Sequence, residues 1–206
     1  MRFKLPKIYP ITDTRISGIS IPEQVERLIA GGATLIQLRE KHASSRDFYE
    51  AAAKAMDIAR KSDVKIIIND RVDIALALKT DGLHLGQEDL PSLHARRILG
   101  ETAVIGLSTH SPEQVIAALG LPIDYIAIGP IFSTSTKENA DAVVGLEGVS
   151  HIRGMIADVP LVAIGGITAS NLKSVLNAGA DSAAVISDLI CEADQITQRM
   201  KSLLLL

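Results

Sequence analysis

Three polar side chains at alternate positions end the second apolar run of the chain. Leu38 and Glu40 separate Gln37, Arg39 and Lys41, so an extended backbone would point these three toward one face. Two cations on one face suggest a clamp for a polyanion, in which Arg39 makes a two-pronged contact and Lys41 acts as a point charge. The alternative is a solvated, charged strand end in which Glu40 is the local partner.

Two aspartates stand close to the ends of the third and fourth apolar runs. Asp70 ends the third run, and Asp89 follows the fourth. Neighbouring strands of a sheet lie about 4.8 Å apart, so the two carboxylates could face one ligand. This pattern is typical of Mg²⁺ held by one or two carboxylates together with substrate phosphate oxygens. The alternative is that Asp70 pairs with Arg71 and that Asp89 caps the helix opening at Pro91.

A second anion site is indicated near the end of the chain. Gly165 and Gly166 follow the seventh apolar run, where glycine lets the backbone approach a ligand closely. Ile186 and Ser187 end the eighth run and open a predicted helix, whose first N–H groups would point outward toward an anion. The alternative is that the two glycines serve only packing.

The other reactive residue types carry weaker signals. His84 lies inside an apolar strand, which is as consistent with a core or supporting residue as with a catalytic one. His42, His94 and His151 have no partners at metal-ligand spacing and are predicted to lie on the surface. Cys191 is the one cysteine of the chain, so an intrachain disulfide is excluded. It has no paired histidine and is predicted to be inert.

These residues follow eight apolar segments that recur along the whole chain. Several segments are apolar at consecutive positions, as at 66–68, which is typical of strands buried on both faces. The predicted strands are Ile8–Thr12, Leu35–Leu38, Ile66–Asn69, Gly82–Leu85, Val104–Ser108, Tyr125–Gly129, Val162–Gly165 and Ala184–Ser187. The predicted helices are Pro22–Ala30, Ser45–Lys61, Val72–Leu78, Pro91–Leu99, Pro112–Leu119, Glu147–Ile156, Thr168–Asn177 and Asp188–Leu203.

Eight strand–helix units favour a closed (β/α)8 TIM barrel, an α/β fold, over an open doubly wound sheet. We expect residues 1–206 to form one barrel that is the catalytic domain. The active site of such a barrel lies at the C-terminal ends of its strands, where the polar residues above would converge. The loops after strands 7 and 8 commonly bind phosphate.

Composition and charge exclude several classes of protein. The chain has 21 basic and 24 acidic residues, a net charge of -3, so we expect no nucleic-acid partner and no polybasic membrane contact. Its longest apolar runs are far shorter than the roughly 20 residues that span a bilayer, and no targeting signal is visible. These features favour a cytoplasmic location. The sequence is compatible with a homo-oligomer.

Seven sequence blocks closely resemble the thiamine-phosphate synthase family and occur in the family's order over nearly the whole chain. Two small departures fall at Ser133, where the family often has proline, and at 182–183, where Ser-Ala replaces the more usual Gly-Val. The matching blocks are QLREK at 37–41, INDR at 68–71, HLGQED at 84–89, STH at 108–110, GPIF at 129–132, TSTK at 134–137 and AIGGI at 163–167.

The resemblance implies a reaction and two substrate subsites. The family condenses 4-amino-2-methyl-5-(diphosphooxymethyl)pyrimidine with 4-methyl-5-(2-phosphoethyl)thiazole, or its carboxylated form, and releases pyrophosphate. Mg²⁺ would be bound by Asp70 and Asp89. The residues implied to hold the pyrimidine diphosphate are Gln37, Arg39, Lys41, Asn69, Ser108 and Lys137, of which Arg39, Ser108 and Lys137 would be catalytic. The residues implied to hold the thiazole phosphate are Thr134, Ser135, Thr136, Gly166, Ile186 and Ser187.

Three rival functions use the same kind of barrel. A thiazole tautomerase is expected to carry a catalytic histidine where this chain has Pro130, and to lack the second aspartate that is Asp89 here. A non-catalytic regulatory barrel would not need the set of Asp70, Asp89 and Lys137. A phosphosugar isomerase would have no use for a second, diphosphate clamp. Each comparison favours the synthase.

Overall fold

Eight parallel strands form one sheet that curls into a barrel. The computed structural model describes residues 4–134, 136 and 141–206. Neighbours in the sheet follow the order β1-β8-β7-β6-β5-β4-β3-β2, and a bridge between Ile11 and Gln37 joins the two ends. The fold is therefore the expected (β/α)8 barrel. The strands are β1 Ile8–Pro10, β2 Leu35–Leu38, β3 Lys65–Asn69, β4 Gly82–Leu85, β5 Val104–Thr109, β6 Tyr125–Ile128, β7 Leu161–Ile164 and β8 Ser182–Val185.

The predicted strands match these within one or two residues at most ends. The largest difference is at β8, which begins at Ser182 rather than Ala184 and ends at Val185 rather than Ser187. Ser182 is fully buried, so a polar side chain occupies a strand position that the apolar pattern predicts to be outside the strand.

Helices surround the barrel, and most of the predicted ones agree with the observed bounds within one or two residues, whereas the first observed helix is not among those predicted. Among the described residues they are α1 Thr14–Ser17, α2 Ile21–Ala30, α3 Ser45–Lys61, α4 Val72–Leu78, α5 Ser92–Leu99, α6 Pro112–Ala118, α7 Gly145–Ile156, α8 Leu172–Asn177, α9 Ser187–Ile190 and α10 Ile196–Leu204, with a 3₁₀ turn at Ala193–Gln195. None of these helices has the length and apolar character needed to cross a bilayer.

Two predicted helices are wrong in detail. The expected continuous helix 188–203 is interrupted, because Glu192 is extended and Arg199 donates to the Asp188 carbonyl at 3.1 Å. That carbonyl would accept from residue 192 in an unbroken helix. Residues 168–171 form a turn instead of the start of α8, since the Asn171 side chain accepts the Thr168 N–H at 2.8 Å.

Strand alternation divides the apolar side chains into two clusters. A small cluster fills the barrel interior, and a larger one lies between the strands and the helices. The interior cluster takes alternate strand residues, among them Tyr9, Leu35, Ile67, Val104 and Tyr125. Continuing that alternation along each strand carries the same inward face to the C-terminal end of the barrel, where the polar residues lie.

Three aspartates tie strands together at the opposite, N-terminal end of the barrel. Each directly precedes an even-numbered strand and accepts a backbone N–H from the odd-numbered strand before it. The bonds run from Ile66 to Asp81 at 2.9 Å, from Ile105 to Asp124 at 2.7 Å and from Leu161 to Asp181 at 2.8 Å. Asp124 also accepts from the buried Arg96 guanidinium at 2.7 Å.

The Asp124 contacts predict a stability effect that does not reach the active site. Asp124→Ala leaves the Ile105 N–H and the Arg96 guanidinium without this acceptor, so we expect a loss of about 3 kcal/mol in unfolding free energy. The measurement is urea unfolding together with turnover, which should be unchanged because this end of a barrel serves stability. Asp81→Ala is the matched control. It removes the same type of backbone bond and, among the described residues, leaves no arginine unpaired, so about 1–2 kcal/mol is expected. Equal losses for the two variants would contradict the role given to Arg96.

Candidate active site

Arg39 is held at the mouth, the C-terminal end of the barrel, by Asp13, which follows β1 and is the N-cap of α1. Its guanidinium contacts Asp13 Oδ2, while its own N–H donates to Thr12 Oγ1 at 3.1 Å. The other oxygen of Asp13 accepts from Arg15 N at 3.0 Å and Ile16 N at 3.2 Å at the start of α1. One carboxylate therefore fixes both the cation and the turn beside it. Among the described residues the Arg39 guanidinium has no other side-chain partner, which leaves the rest of its fork for an anion.

Glu40 is not the partner of Arg39, so the alternative of a locally paired strand end is wrong. Its carboxylate accepts from Thr14 Oγ1 at 2.5 Å and from the His42 and Ala43 N–H groups at 3.0 and 3.3 Å. These bonds fold the chain back after β2, so Glu40 shapes the loop while Arg39 faces the mouth.

Lys41, Asp70 and Asp89 form a charged cluster on the ends of three adjacent strands. Lys41 Nζ contacts Asp70 Oδ2, and Asp89 Oδ2 accepts the Gly86 N–H at 2.6 Å. Burial raises the pKa of the Asp89 carboxyl, and a hydrogen bond and the negative charge of Asp70 raise it further. The two carboxylates are thus held close together, and Lys41 offsets their negative charge only in part, since the pKa of Asp89 stays raised.

Both alternatives for these aspartates are wrong. Arg71 pairs with Asp73 rather than with Asp70. The helix α5 has Pro91 at its N-cap and no side-chain capping bond, so Asp89 does not cap it. Asp70 also has a φ of 62°, a left-handed conformation that costs energy outside glycine and is found at functional sites.

His84 is a buried link between the barrel interior and Ser108 of the mouth. Its Nε2 lies 2.9 Å from Ser108 Oγ, and its Nδ1 lies 2.9 Å from the Tyr125 hydroxyl. The Tyr125 hydroxyl is 3.1 Å from that of Tyr9, which accepts from Gln37 Nε2 at 3.2 Å. His84 is therefore a supporting residue, one of the two readings that the sequence left open.

Burial keeps His84, Tyr9 and Tyr125, the three aromatic residues in this hydrogen-bonded series, neutral near pH 7. It lowers the pKa of His84 to about 4, with opposing contributions from Asp89, which raises the pKa, and Lys41, which lowers it. Burial also raises the pKa of the Tyr9 and Tyr125 hydroxyls above their usual value. Sequence reasoning missed both tyrosines. The sequence could have indicated them, because each is the only aromatic residue of its strand, β1 or β6, and stands at a position whose side chain faces the barrel interior.

The glycines after β7 are required by packing. Gly166 has a φ of +64°, and a Cβ there would lie 2.7 Å from both the Ser133 carbonyl oxygen and Phe132 Cβ. Gly165 has a φ of +102°, and a Cβ there would lie 2.6 Å from Pro130. The packing alternative therefore accounts for both residues, and their role toward a phosphate stays a prediction.

The remaining predicted residues lie around this glycine pair where they are described. Thr136 N and Oγ1 are both 3.3 Å from Thr134 Oγ1, on the loop that packs against Gly166. Ile186 is the N-cap of α9, a helix of only 4 residues, and Ser187 is exposed at its start. Asn69, at the end of β3, is buried at the mouth. Ser135 and Lys137 lie outside the described residues.

The weaker candidates are where the sequence predicts them. His42, His94 and His151 are exposed. Cys191 is also exposed, and its Sγ accepts from Arg199 at 2.8 Å. Across the described part of the chain, no group of three or more His, Cys, Asp or Glu side chains is placed to hold a metal by itself.

The fold and the mouth together define a (β/α)8-barrel enzyme that acts on small molecules. The family model described as thiamine monophosphate synthase matches residues 8–189. The thiamine-phosphate synthase of Chloroflexus aurantiacus is 43% identical over 96% of this chain and 90% of its own. That of Clostridium novyi is 46% identical over 91% and 92%. A solved thiamine phosphate pyrophosphorylase from Pyrococcus furiosus is 36% identical, with a TM-score of 0.86, over 96% of this chain and 93% of that one.

The chain belongs to the thiamine-phosphate synthase family. Its activity is thiamine-phosphate synthesis, a transferase reaction of thiamine biosynthesis. The expectation drawn from the seven sequence blocks is confirmed, and the tautomerase, regulatory and isomerase alternatives are set aside.

The low pKa of His84 predicts a specific acid sensitivity. The folded state binds this proton only near pH 4, whereas an unfolded histidine binds it near pH 6.5. Stability is therefore fully present above pH 6.5 and falls as the pH drops toward 4, by about 3 kcal/mol from this residue. Urea unfolding of wild type and His84→Gln between these pH values tests this. Parallel stability curves for the two proteins would show that His84 does not contribute.

Proposed function

We propose that the mouth joins 4-amino-2-methyl-5-(diphosphooxymethyl)pyrimidine to 4-methyl-5-(2-phosphoethyl)thiazole by a dissociative reaction. The observation that carries the proposal is the cluster of Lys41, Asp70 and Asp89 on adjacent strand ends. The bond between the methylene carbon and the diphosphate oxygen breaks with its electron pair going to oxygen. The thiazole nitrogen then donates its lone pair to the pyrimidine-methyl cation. No proton has to leave the reacting atoms, so the site needs charge stabilisation rather than a general base.

We propose that Asp70 and Asp89 bind Mg²⁺. The pKa of the Asp89 carboxyl is raised mainly by burial and further by Asp70, and a divalent cation would relieve both effects by stabilising the charged form. Two carboxylates are few for a metal site, and Mg²⁺ is typically completed by water and substrate phosphate oxygens. When bound, the ion neutralises negative charge on the departing diphosphate.

The cations of the mouth stabilise the same leaving group. Arg39, fixed by Asp13, presents the free part of its fork, and the exposed ammonium of Lys41 lies beside Asp70. We assign Lys137, from the loop after β6, to the opposite side of the diphosphate. Gln37, Asn69 and Ser108 would orient the pyrimidine. Charge on the leaving oxygen grows as its bond to carbon breaks, so these donors favour the transition state over the substrate.

We assign the thiazole phosphate to the loops after β6, β7 and β8. Thr134, Ser135 and Thr136 would supply hydroxyl and backbone donors from the first loop, and Gly166, Ile186 and Ser187 would supply backbone donors from the other two. The proximity of these loops supports this subsite: Gly166 packs against Ser133, and Asp188 accepts the Ala169 N–H at 3.0 Å. Filling both subsites would exclude water, which protects the cation from hydrolysis.

The wider expectations are part of the same proposal. Residues 1–206 would act as one catalytic domain in the cytoplasm, with two small-molecule substrates. Use of the carboxylated thiazole phosphate and assembly into a homo-oligomer remain predictions.

The metal assignment predicts the behaviour of Asp89→Asn. The amide oxygen can still accept from Gly86 N–H, but the charge is lost, so turnover should fall on the order of 100-fold. Higher Mg²⁺ should restore part of it. Stability should be equal or slightly higher, because a carboxylate with a raised pKa is replaced by a neutral group of the same shape. Initial rates over a Mg²⁺ series and a thermal melt measure the two effects. Wild-type turnover at ordinary Mg²⁺ would contradict the assignment.

The two-subsite assignment predicts a selective effect at Ser187. Ser187→Asp puts a carboxylate at the thiazole phosphate subsite, and like charges across an interface cost several kcal/mol. The KM for thiazole phosphate should rise about tenfold or more, with little change for the pyrimidine diphosphate. Ser187→Asn, similar in size but uncharged, is the control. Steady-state kinetics with each substrate varied in turn would show equal increases if the subsites are not separate.

A further inference from the structure

Five side chains form one continuous hydrogen-bonded series from the barrel interior to the mouth. We call this series the buried chain: Gln37, Tyr9, Tyr125, His84 and Ser108. Its four contacts measure 3.2, 3.1, 2.9 and 2.9 Å in that order. Gln37, Tyr9, Tyr125 and His84 are buried, and only Ser108 is part-exposed. The series therefore passes through the buried interior of the barrel from Gln37 to Ser108, and both of these end residues are assigned to the proposed pyrimidine subsite.

The barrel makes room for the series at one glycine. Gly106 is the register partner of Tyr125 on β5, and a Cβ there would lie 2.0 Å from Cζ of the Tyr125 ring. The ring consequently folds over β5, stacks on His84 with a centroid distance of 5.5 Å and meets Tyr9 edge-on at 6.1 Å. The hydroxyl of Tyr125 is placed by packing, not by a flexible side chain.

The first bond gives the series a direction. The side-chain nitrogen of Gln37 can only donate, so the Tyr9 oxygen accepts. Within the described residues Tyr9 has one other polar partner, the Tyr125 hydroxyl, so the hydrogen of Tyr9 points there. A hydroxyl that accepts on one side is polarised to donate on the other, which directs the Tyr125 hydrogen to His84 Nδ1.

The last bond determines what Ser108 offers to a ligand. A neutral imidazole that accepts at Nδ1 carries its hydrogen on Nε2, and this hydrogen is donated to Ser108 Oγ. Because His84 donates in this arrangement, the hydroxyl hydrogen of Ser108 has no acceptor among the residues that the structure describes. It is therefore left pointing away from His84.

We propose that the buried chain makes the Ser108 hydroxyl a hydrogen-bond donor toward the pyrimidine diphosphate, with Tyr125 and His84 as positioning residues. This inference rests on the proposed function in one respect, the assignment of Ser108 to the pyrimidine subsite. The opposite tautomer of His84 would accept the hydrogen of Ser108 and would leave the substrate facing an acceptor, which repels phosphate oxygens. The buried chain thus selects which of two neutral forms of the site exists before substrate binds.

The tautomer is measured directly on the substrate-free protein. In ¹⁵N-histidine-labelled protein, with the His84 signals assigned by their loss in His84→Gln, we expect a protonated Nε2 and an unprotonated Nδ1. In Tyr125→Phe, which retains the ring but removes the donor to Nδ1, we expect loss of this single form. A protonated Nδ1 in the wild-type protein would overturn the proposed direction, whatever Ser108 binds.

A double-mutant cycle tests the consequence for the reaction. Ser108→Ala should lower kcat/KM for the pyrimidine diphosphate on the order of 100-fold. Tyr125→Phe should lower it about tenfold, the scale of lost supporting contacts, and leave the KM for thiazole phosphate unchanged. In the Ser108→Ala background, Tyr125→Phe should change kcat/KM by less than about twofold, because its effect acts through the missing hydroxyl. Additive effects would overturn the positioning role and indicate a structural one.

Two further variants keep the test decisive. Tyr49→Phe makes the same chemical change at an exposed tyrosine of α3 and should leave both kinetics and the His84 signals unchanged. Tyr9→Phe removes the hydrogen bond from the Tyr9 hydroxyl to the Tyr125 hydroxyl. It is the second variant if Tyr125→Phe does not fold. Wild-type kinetics in Ser108→Ala with the expected tautomer present would overturn the assignment of Ser108 to substrate while leaving the direction of the buried chain intact.

Discussion

Closure of the barrel between β1 and β2 is the contact on which the site depends. Thr12 N donates to the Gln37 carbonyl at 2.9 Å, and the side chains of these two residues begin the machinery of the mouth. Thr12 Oγ1 accepts from the Arg39 N–H, and Gln37 starts the buried chain. The same closure brings Asp13 against Arg39. Loss of the contact between β1 and β2 would therefore open the sheet and also separate Arg39 from Asp13, the carboxylate that holds it.

Charged side chains lie at the mouth of the barrel, and neutral polar side chains lie deeper in its interior. At the mouth, cations and carboxylates face partly exposed space, where a metal and two anionic substrates can balance them. One layer below, burial holds His84, Tyr9 and Tyr125 in their neutral forms, so only hydrogen bonds operate there. Burying a charge at that depth would cost far more than a satisfied neutral group. The neutral layer can thus orient mouth residues without adding to their charge.

The N-terminal end of the barrel uses similar groups for a different purpose. Asp124 and Arg96 make a partly buried ion pair there, as Asp13 and Arg39 do at the mouth. The guanidinium of Arg96 is saturated by carbonyls and a carboxylate, with bonds to Gly100 and Pro122 as well as to Asp124. A saturated arginine stabilises the fold, whereas one held by a single carboxylate can still bind an anion.

The barrel, the strand positions within a few residues and the family all follow from the amino-acid sequence alone. Apolar runs interrupted by helical periods are local signals, and polar residues at strand ends must converge once eight parallel strands close. The sequence also predicted Arg39, Lys41, Asp70 and Asp89, because charges at strand ends are visible without knowing their partners. Three features become visible only in the folded chain: Asp13 holds Arg39, the glycines at 165–166 serve packing, and Tyr9 and Tyr125 connect to Ser108. These contacts join residues from different strands, such as Tyr9 and Tyr125 across 116 positions, and depend on which side chain reaches which across the barrel. Alternation along each strand shows which side chains can face the barrel interior. The distances between those side chains follow from packing, which no local pattern encodes.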